Sequence, residues 1–162
     1  MLVFSSRYSM LSIIMFLTVA KSFIQSSVKH IINFNRFNMN SINVNRDPEN
    51  IFSSISIGGM RKLSIKIFKN VLYVDIREYF EDELGDQKPG VKGISLNINN
   101  WNLLCGTIGN IDEEMEKDSD SPFEFDLGNL KKVTISNYRG KMKVDIRKYY
   151  IEELTKEEKP ST

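Results

Sequence analysis

A chain of 162 residues has room for one domain and a fraction of a second, and 41% hydrophobic against 27% charged residues leaves enough apolar side chains for a packed core. One cysteine, Cys105, excludes an internal disulfide, and the single histidine, His30, lies in the N-terminal stretch apart from it, so neither a zinc site nor a Cys–His pair is expected. The formal charge of +1 is unevenly spread: residues 1–46 hold Arg7, Lys21, Lys29, Arg36 and Arg46 and no acid, and removing those five from the 22 basic residues leaves 17 against 21 acidic. Overall charge therefore does not announce nucleic acid, and such a partner has to be argued from where the cations sit.

Residues 1–53 differ in character from the rest of the chain. The apolar run Leu11–Ala20, behind Arg7, is too short to span a bilayer but long enough for a signal-peptide core. The wider segment is Ser- and Asn-rich, basic and acid-free, which also fits a mitochondrial transit peptide. The run HIINFNRFNMNSINVN fits equally well a translated AT-rich leader with no selected role. No stable fold is expected here, and residues 1–53 are read as a disordered or targeting leader. Asp47-Pro48-Glu49-Asn50 marks its end, since proline after aspartate favours a turn.

Strand periodicity then takes over. Ile55-Ser56-Ile57 starts a short strand, and Gly58-Gly59 permit the turn after it. Leu63, Ile65 and Ile67 alternate with Lys62, Ser64 and Lys66; Leu72, Val74 and Ile76 alternate with Tyr73, Asp75, Arg77 and Tyr79. Lys69-Asn70 between them predicts a hairpin. Glu81–Gly93 reads as a polar loop punctuated by Gly85, Pro89, Gly90 and Gly93, with Ile94–Leu96 as a fourth short strand. From an Asn97 or Asn99 cap, Trp101, Leu104, Cys105, Ile108, Ile111 and Met115 recur at three- and four-residue spacing and predict one helix with one apolar stripe. Gly106 and Gly109 each cost it about 1 kcal/mol relative to alanine, so packing has to hold it. The stripe is read as core or dimer seam.

The chain then writes the hairpin a second time. Gly128–Leu154 aligns without a gap on Gly58–Leu84 at a shift of 70 residues, and Val144-Asp145-Ile146-Arg147 with Tyr149 repeats Val74-Asp75-Ile76-Arg77 with Tyr79. Phe123, Phe125 and Leu127 echo the opening strand, and Arg139-Gly140 replaces Lys69-Asn70. A period this long indicates a duplicated domain rather than a solenoid. The copy ends at KEEKPST, before any counterpart of the fourth strand or the helix, and is read as half a domain. A three-stranded meander would be marginal alone, so Val133, Ile135, Val144 and Ile146 are expected to dock on another surface. The expected organisation is a leader at 1–53, a domain at 54–117, a linker at 118–122 and a truncated repeat at 123–162.

The run MRKLSIKIFKNVLYVDIREYFEDELGDQKPGVKGISLNINNWNLL closely resembles the C-terminal single-stranded-DNA-binding domain of the RNA polymerase II transcriptional coactivator family known as positive cofactor four. The likeness rests on the hairpin, the VDIREY run, the loop K-P-G-V-K-G-I-S-L and the helix opening before Trp101; it covers about Ile55–Lys117, and from Phe123 only the first half recurs. It implies an α+β fold, a curved four-stranded antiparallel sheet plus one C-terminal helix, followed by a partial repeat of the sheet. It implies a homodimer with Trp101, Leu104, Ile108 and Ile111 at the seam, holding single-stranded or melted DNA alongside the general transcription machinery and activators in the nucleus.

The nucleic-acid-binding positions implied are Arg61, Phe68, Lys69, Arg77, Phe80, Lys88 and Lys92. In the second copy Tyr138, Arg139, Lys141, Lys143 and Arg147 are candidates for further contacts. Arg77 beside Asp75 also suits an ion pair, and the two roles can coexist. Val71, Val91 and Gly59 stand where the family carries basic residues, each a lost phosphate partner. Rings stack unpaired bases, while cations neutralise phosphates and make affinity fall with salt. No P-loop or dinucleotide glycine motif is present, and Glu81-Asp82-Glu83 sits in a polar loop, so no enzyme, cofactor or metal is expected. Two alternatives stay open: a mitochondrial single-stranded-DNA-binding protein, and a protein-interaction module that binds no DNA. Neither reading places the mature protein in a membrane.

Overall fold

Alternating apolar and polar side chains from Arg61 to Glu81 settle into a hairpin that the rest of the first sheet flanks. The structure, a computed structural model, describes residues 2–5, 19–26, 51–69, 71–117 and 122–161. The apolar run before residue 19, His30, the boundary at 47–50, Asn70 and most of the 118–122 linker lie outside the described residues. Strands β1 (Leu2–Ser5), β2 (Ile51–Ser56), β3 (Arg61–Phe68), β4 (Val71–Glu81) and β5 (Gln87–Asn97) precede helices α1 (Ile98–Gly106) and α2 (Ile108–Glu116). Strands β6 (Phe123–Gly128), β7 (Lys131–Asn137), β8 (Met142–Ile151) and β9 (Glu158–Pro160) come after them.

The first sheet runs β2-β3-β4-β5, antiparallel throughout. Leu63 opposes Ile76 and Ile65 opposes Val74, with Ile94 and Leu96 continuing the rows on β5; all six are buried. Phe68 opposes Val71, so the hairpin turns on two residues, and Lys69 adopts φ 48° there.

Beyond β4 three expectations about the elements give way. The polar loop after β4 is short, because β5 already begins at Gln87. A register shift between Arg77 and Tyr79 lets Pro89 face Tyr79 and Lys88 face Phe80, and an edge strand tolerates proline. The single helix is two: Thr107 (φ −94°, ψ 0°) separates α1 from α2, with its N–H shared between the Leu103 and Leu104 carbonyls. The flanking Gly106 and Gly109 leave little propensity to keep one regular helix there. The repeat also reaches further than its sequence suggests. Strand β9 pairs with β8, Tyr149 opposite Pro160 and Tyr150 opposite Lys159, as Tyr79 opposes Pro89 and Phe80 opposes Lys88. A connection one residue longer than in the first copy shifts Lys159-Pro160 out of the 70-residue period.

Elsewhere the second copy repeats the first in detail. The Tyr149 N–H donates to the Leu130 carbonyl at 2.6 Å, as the Tyr79 N–H does to Met60. Met60 and Leu130 both take positive φ, 58° and 55°. Arg139 and Gly140, φ 56° and 71°, form the turn between Tyr138 and Lys141, whose backbones exchange two hydrogen bonds.

The leader, expected to carry no stable fold, contributes twice. Strand β1 pairs antiparallel with β8, and a helical stretch at 19–26 buries Ala20 and Ile24 with Phe23 packed beside them. These three lie three and four residues apart, one face of a helix, and burial of that face offsets the ordering cost that the composition argued against.

A shared core joins the copies. Val133, Ile135, Val144 and Ile146 are buried in the same cluster as Trp101, Leu104 and Ile111, with Ile108 packed against it. Residues assigned to a seam between two chains are thus covered within one. Asn100, which closes a reciprocal cap with Asn97, donates through Nδ2 to the carbonyls of Leu127 (2.6 Å) and Gly128 (3.1 Å).

Candidate nucleic-acid interface

Opposite the core, the ladder of β3, β4 and β5 lines up polar residues in rows: Lys62 with Arg77, Ser64 with Asp75 and Ser95, Lys66 with Tyr73. Asp75, 1% exposed, is the centre of these rows. It accepts from Arg77 Nε and Nη2, each at 3.1 Å, and from Ser95 Oγ at 2.5 Å, with Lys66 Nζ 3.4 Å away. Burial pushes its carboxyl up, but the hydrogen bonds from Arg77 and Ser95 and the charges of Arg77 and Lys66 outweigh it and hold the group below its ordinary value. Arg77 uses its remaining Nη1 to donate to the Gly90 carbonyl at 2.9 Å. Its fork is committed to bracing β5 against β4, so its first role is to position that strand. Lys62, outside the positions that the family resemblance implies, sits with Nζ 4.5 Å from the centroid of the Tyr79 ring.

Aromatic side chains mark both ends of this sheet. Phe68 at the hairpin is 59% exposed, with Lys69 Nζ 5.4 Å from its centroid. Phe80 is 52% exposed and stands opposite Lys88. Beside it a hollow of about 360 Å³ is lined by Glu78, Tyr79, Phe80, Gly90, Val91 and Lys92. Lys88 Nζ lies 3.6 Å and 3.7 Å from the carboxylates of Asp82 and Asp86, and Lys92 Nζ 3.7 Å from Glu78. These long, exposed pairs contribute little and leave both ammonium groups available to a stronger anion. The fold thus gathers Phe80, Lys88 and Lys92 on one rim and keeps Phe68 and Lys69 at the hairpin tip. Arg61 begins β3 opposite Glu78, partly buried. Val91 projects almost fully exposed at the rim, and Val71, opposite Phe68 at the hairpin tip, and Gly59 are exposed as well.

The second copy carries a stronger cationic tip. Tyr138, 51% exposed, has Lys143 Nζ at 3.9 Å and Arg139 Cζ at 5.1 Å from its centroid, and Lys141 is exposed beside them. Arg147 is paired with Asp145, as Arg77 is with Asp75. Lys132, likewise outside the implied positions, contacts Glu124 at 2.8 Å and Glu158, and lies 5.1 Å from the Tyr149 centroid. Hydrogen bonds to Glu124 and Glu158 raise its pKa far above that of a free lysine. The period-two pattern already placed Lys62 on the polar face; what it did not show was a ring within reach. Among the described residues no cluster of His, Cys, Asp and Glu could hold a metal, and no helix is long and apolar enough to cross a membrane.

Two segments, residues 55–106 and 125–162, match the family described as Transcriptional Coactivator p15 (PC4), together more than half of the chain. The chain belongs to this family. Among curated relatives, the RNA polymerase II transcriptional coactivator SUB1 of Saccharomyces cerevisiae is 37% identical over 62 residues, covering 38% of this chain and 21% of SUB1. The RNA polymerase II transcriptional coactivator KIWI of Arabidopsis thaliana is 36% identical over 62 residues, 38% of this chain and 53% of KIWI. The RNA polymerase II transcriptional coactivator of Drosophila melanogaster is 36% identical over 76 residues, 44% of this chain and 68% of its own length. The chain thus spans from about a fifth to about a half of the first two relatives. A solved MoSub1–DNA complex is 30% identical, covering 43% of this chain and 87% of that one, at a TM-score of 0.37.

Proposed function

We propose that this chain is a transcriptional coactivator of RNA polymerase II initiation that acts in the nucleus by holding unpaired DNA. The observation that carries the reading is the rim on which a half-exposed ring, Phe80, stands opposite Lys88 and lines a hollow together with Lys92. An unpaired base stacks on such a ring for about 1–3 kcal/mol whatever its identity, while the two ammonium groups exchange their distant carboxylates for phosphates. Phe68 with Lys69 offers a second stacking point, and Tyr138 with Arg139, Lys141 and Lys143 a third on the other sheet. A duplex hides its base faces and cannot use these rings. Membership of the coactivator family and the names of its relatives support the place in transcription.

Affinity for oligothymidine and for duplex of the same length, each at two salt concentrations, tests the reading. Preference for the single strand and steep weakening with salt are expected. Indifference to oligothymidine in dilute buffer overturns it.

A further inference from the structure

We infer that β1 and the helical stretch at 19–26 take on the second sheet the places that the inner half of β5 and the helices after it hold on the first, so that one chain closes on itself as a pair of lobes. The inference is independent of any nucleic-acid binding.

The first support is register. On β4, the inner half of the edge is taken by β5, with Ile94, Ser95, Leu96 and Asn97 opposite Ile76, Asp75, Val74 and Tyr73. On β8, the equivalent residues Ile146, Asp145, Val144 and Lys143 are opposed by Leu2, Val3, Phe4 and Ser5. Shifted by the 70-residue repeat, these are the same four rungs in the same direction. Strand β9 occupies only the outer rungs, from Tyr149 to Ile151. Two pieces from opposite chain ends therefore share an edge that β5 covers alone in the first lobe. Left bare, those inner rungs would be an open sheet edge beside an apolar face.

A chemical mismatch supports the substitution. Ser95 gives its hydroxyl to Asp75, whereas the corresponding rung on β1 is Val3, and Asp145 Oδ1 is buried with no hydrogen-bond partner. A strand of different sequence at that rung leaves an acceptor stranded there.

The helical stretch completes the case. Ala20 and Ile24 are buried in the core that also holds Leu104 and Val133. Burial raises the Cys105 thiol in α1, and the charge of Lys21 on the same stretch opposes that rise. The contacts are reciprocal: α1 touches β6 of the second lobe, and β5 of the first touches both β1 and β8. Among the described residues, the closed pair covers the helix stripe that a second copy would otherwise have to cover.

The test uses the full chain. Light scattering after gel filtration should give the mass of one chain. With Ser5→Cys and Lys143→Cys in a Cys105→Ala background, a short bismaleimide should link the two positions within a chain, seen as a one-chain species joining tryptic peptides 1–7 and 142–147. A two-chain mass, links between chains, or no link at all overturns the inference. Removing residues 1–26 should lower the melting temperature and produce self-association through the bared edge; unchanged mass and melting temperature would also overturn it.

Discussion

Asp75 shows how one residue can serve stability and binding without touching a ligand. It is buried and hydrogen-bonded by Arg77 and Ser95, and through Arg77 it fixes the Gly90 carbonyl beside Lys92 and Phe80. Its folded pKa lies below the ordinary 3.8, so protons bind the unfolded chain more readily. The carboxylate therefore stabilises the fold fully above the unfolded value, and that stabilisation is lost as pH falls through the lower folded value. Asp75→Asn should cost about 1–3 kcal/mol at neutral pH, since Arg77 and Lys66 lose their anion but keep some water. Thermal melts from neutral to strongly acidic pH should show a shallower decline for the variant than for the parent. At the rim, Lys88→Gln with Lys92→Gln should weaken oligothymidine binding and flatten its salt dependence, with little change in melting temperature, because neither ammonium holds a close structural partner. Exposed rings and rim lysines were legible in the sequence through the family motif. The bracing role of Arg77 was legible only as an ion pair with Asp75, because its contact with Gly90 depends on the register shift that no residue pattern announces.

At the scale of elements, β5 departs from its sequence reading because its glycines and proline look like punctuation in the sequence, while the chain uses Gly90 and Gly93 for close approach. A Cβ at Gly93 would sit 2.7 Å from the Ile76 carbonyl oxygen and 2.9 Å from Arg77 Cα; one at Gly90, 2.9 Å from the Glu78 carbonyl oxygen. Backbone atoms cannot give way as a flexible side chain can. Gly93→Ala should therefore destabilise by about 1–3 kcal/mol or more and displace the rim that β5 carries. Gly106→Ala is the opposite case, since a Cβ there meets nothing within 4 Å and ends a helix that gains propensity, so it should stabilise by roughly 1 kcal/mol. Urea unfolding of the two variants separates these signs. Long alternating strands β3, β4, β7 and β8 were legible because each buries one face and shows the other, which is the condition under which a period of two is written into sequence. The three residues of β9 and the four of β1 are too short to carry a period, and their pairing is set by the edge they meet.

At the scale of the whole molecule, the repeat was plain while the way its copies meet was not, because a helix stripe looks the same whether a second chain or a second lobe covers it. Asn100 decides the matter chemically. Its Nδ2 reaches the Leu127 and Gly128 carbonyls in the second lobe while its backbone belongs to the cap of α1. Asn100→Asp keeps the size and the capping acceptor but removes both donors and sets a carboxylate against two carbonyls. It should cost at least about 2–3 kcal/mol, as a buried polar group left unpaired does. Loss confined to α1 would leave the second lobe's own transition untouched, whereas loss through the joint lowers the stability of both lobes together. Hydrogen exchange at the buried amides of Val133 and Ile146 reads the difference: faster exchange in Asn100→Asp locates the damage at the joint, and unchanged exchange there would mean that the lobes stand independently. Deletion after Ser121 takes the same logic to its limit, exposing Trp101, Leu104 and Ile111, and should lower solubility and melting temperature together while making the salt dependence of oligonucleotide binding shallower by the cations of the lost hairpin.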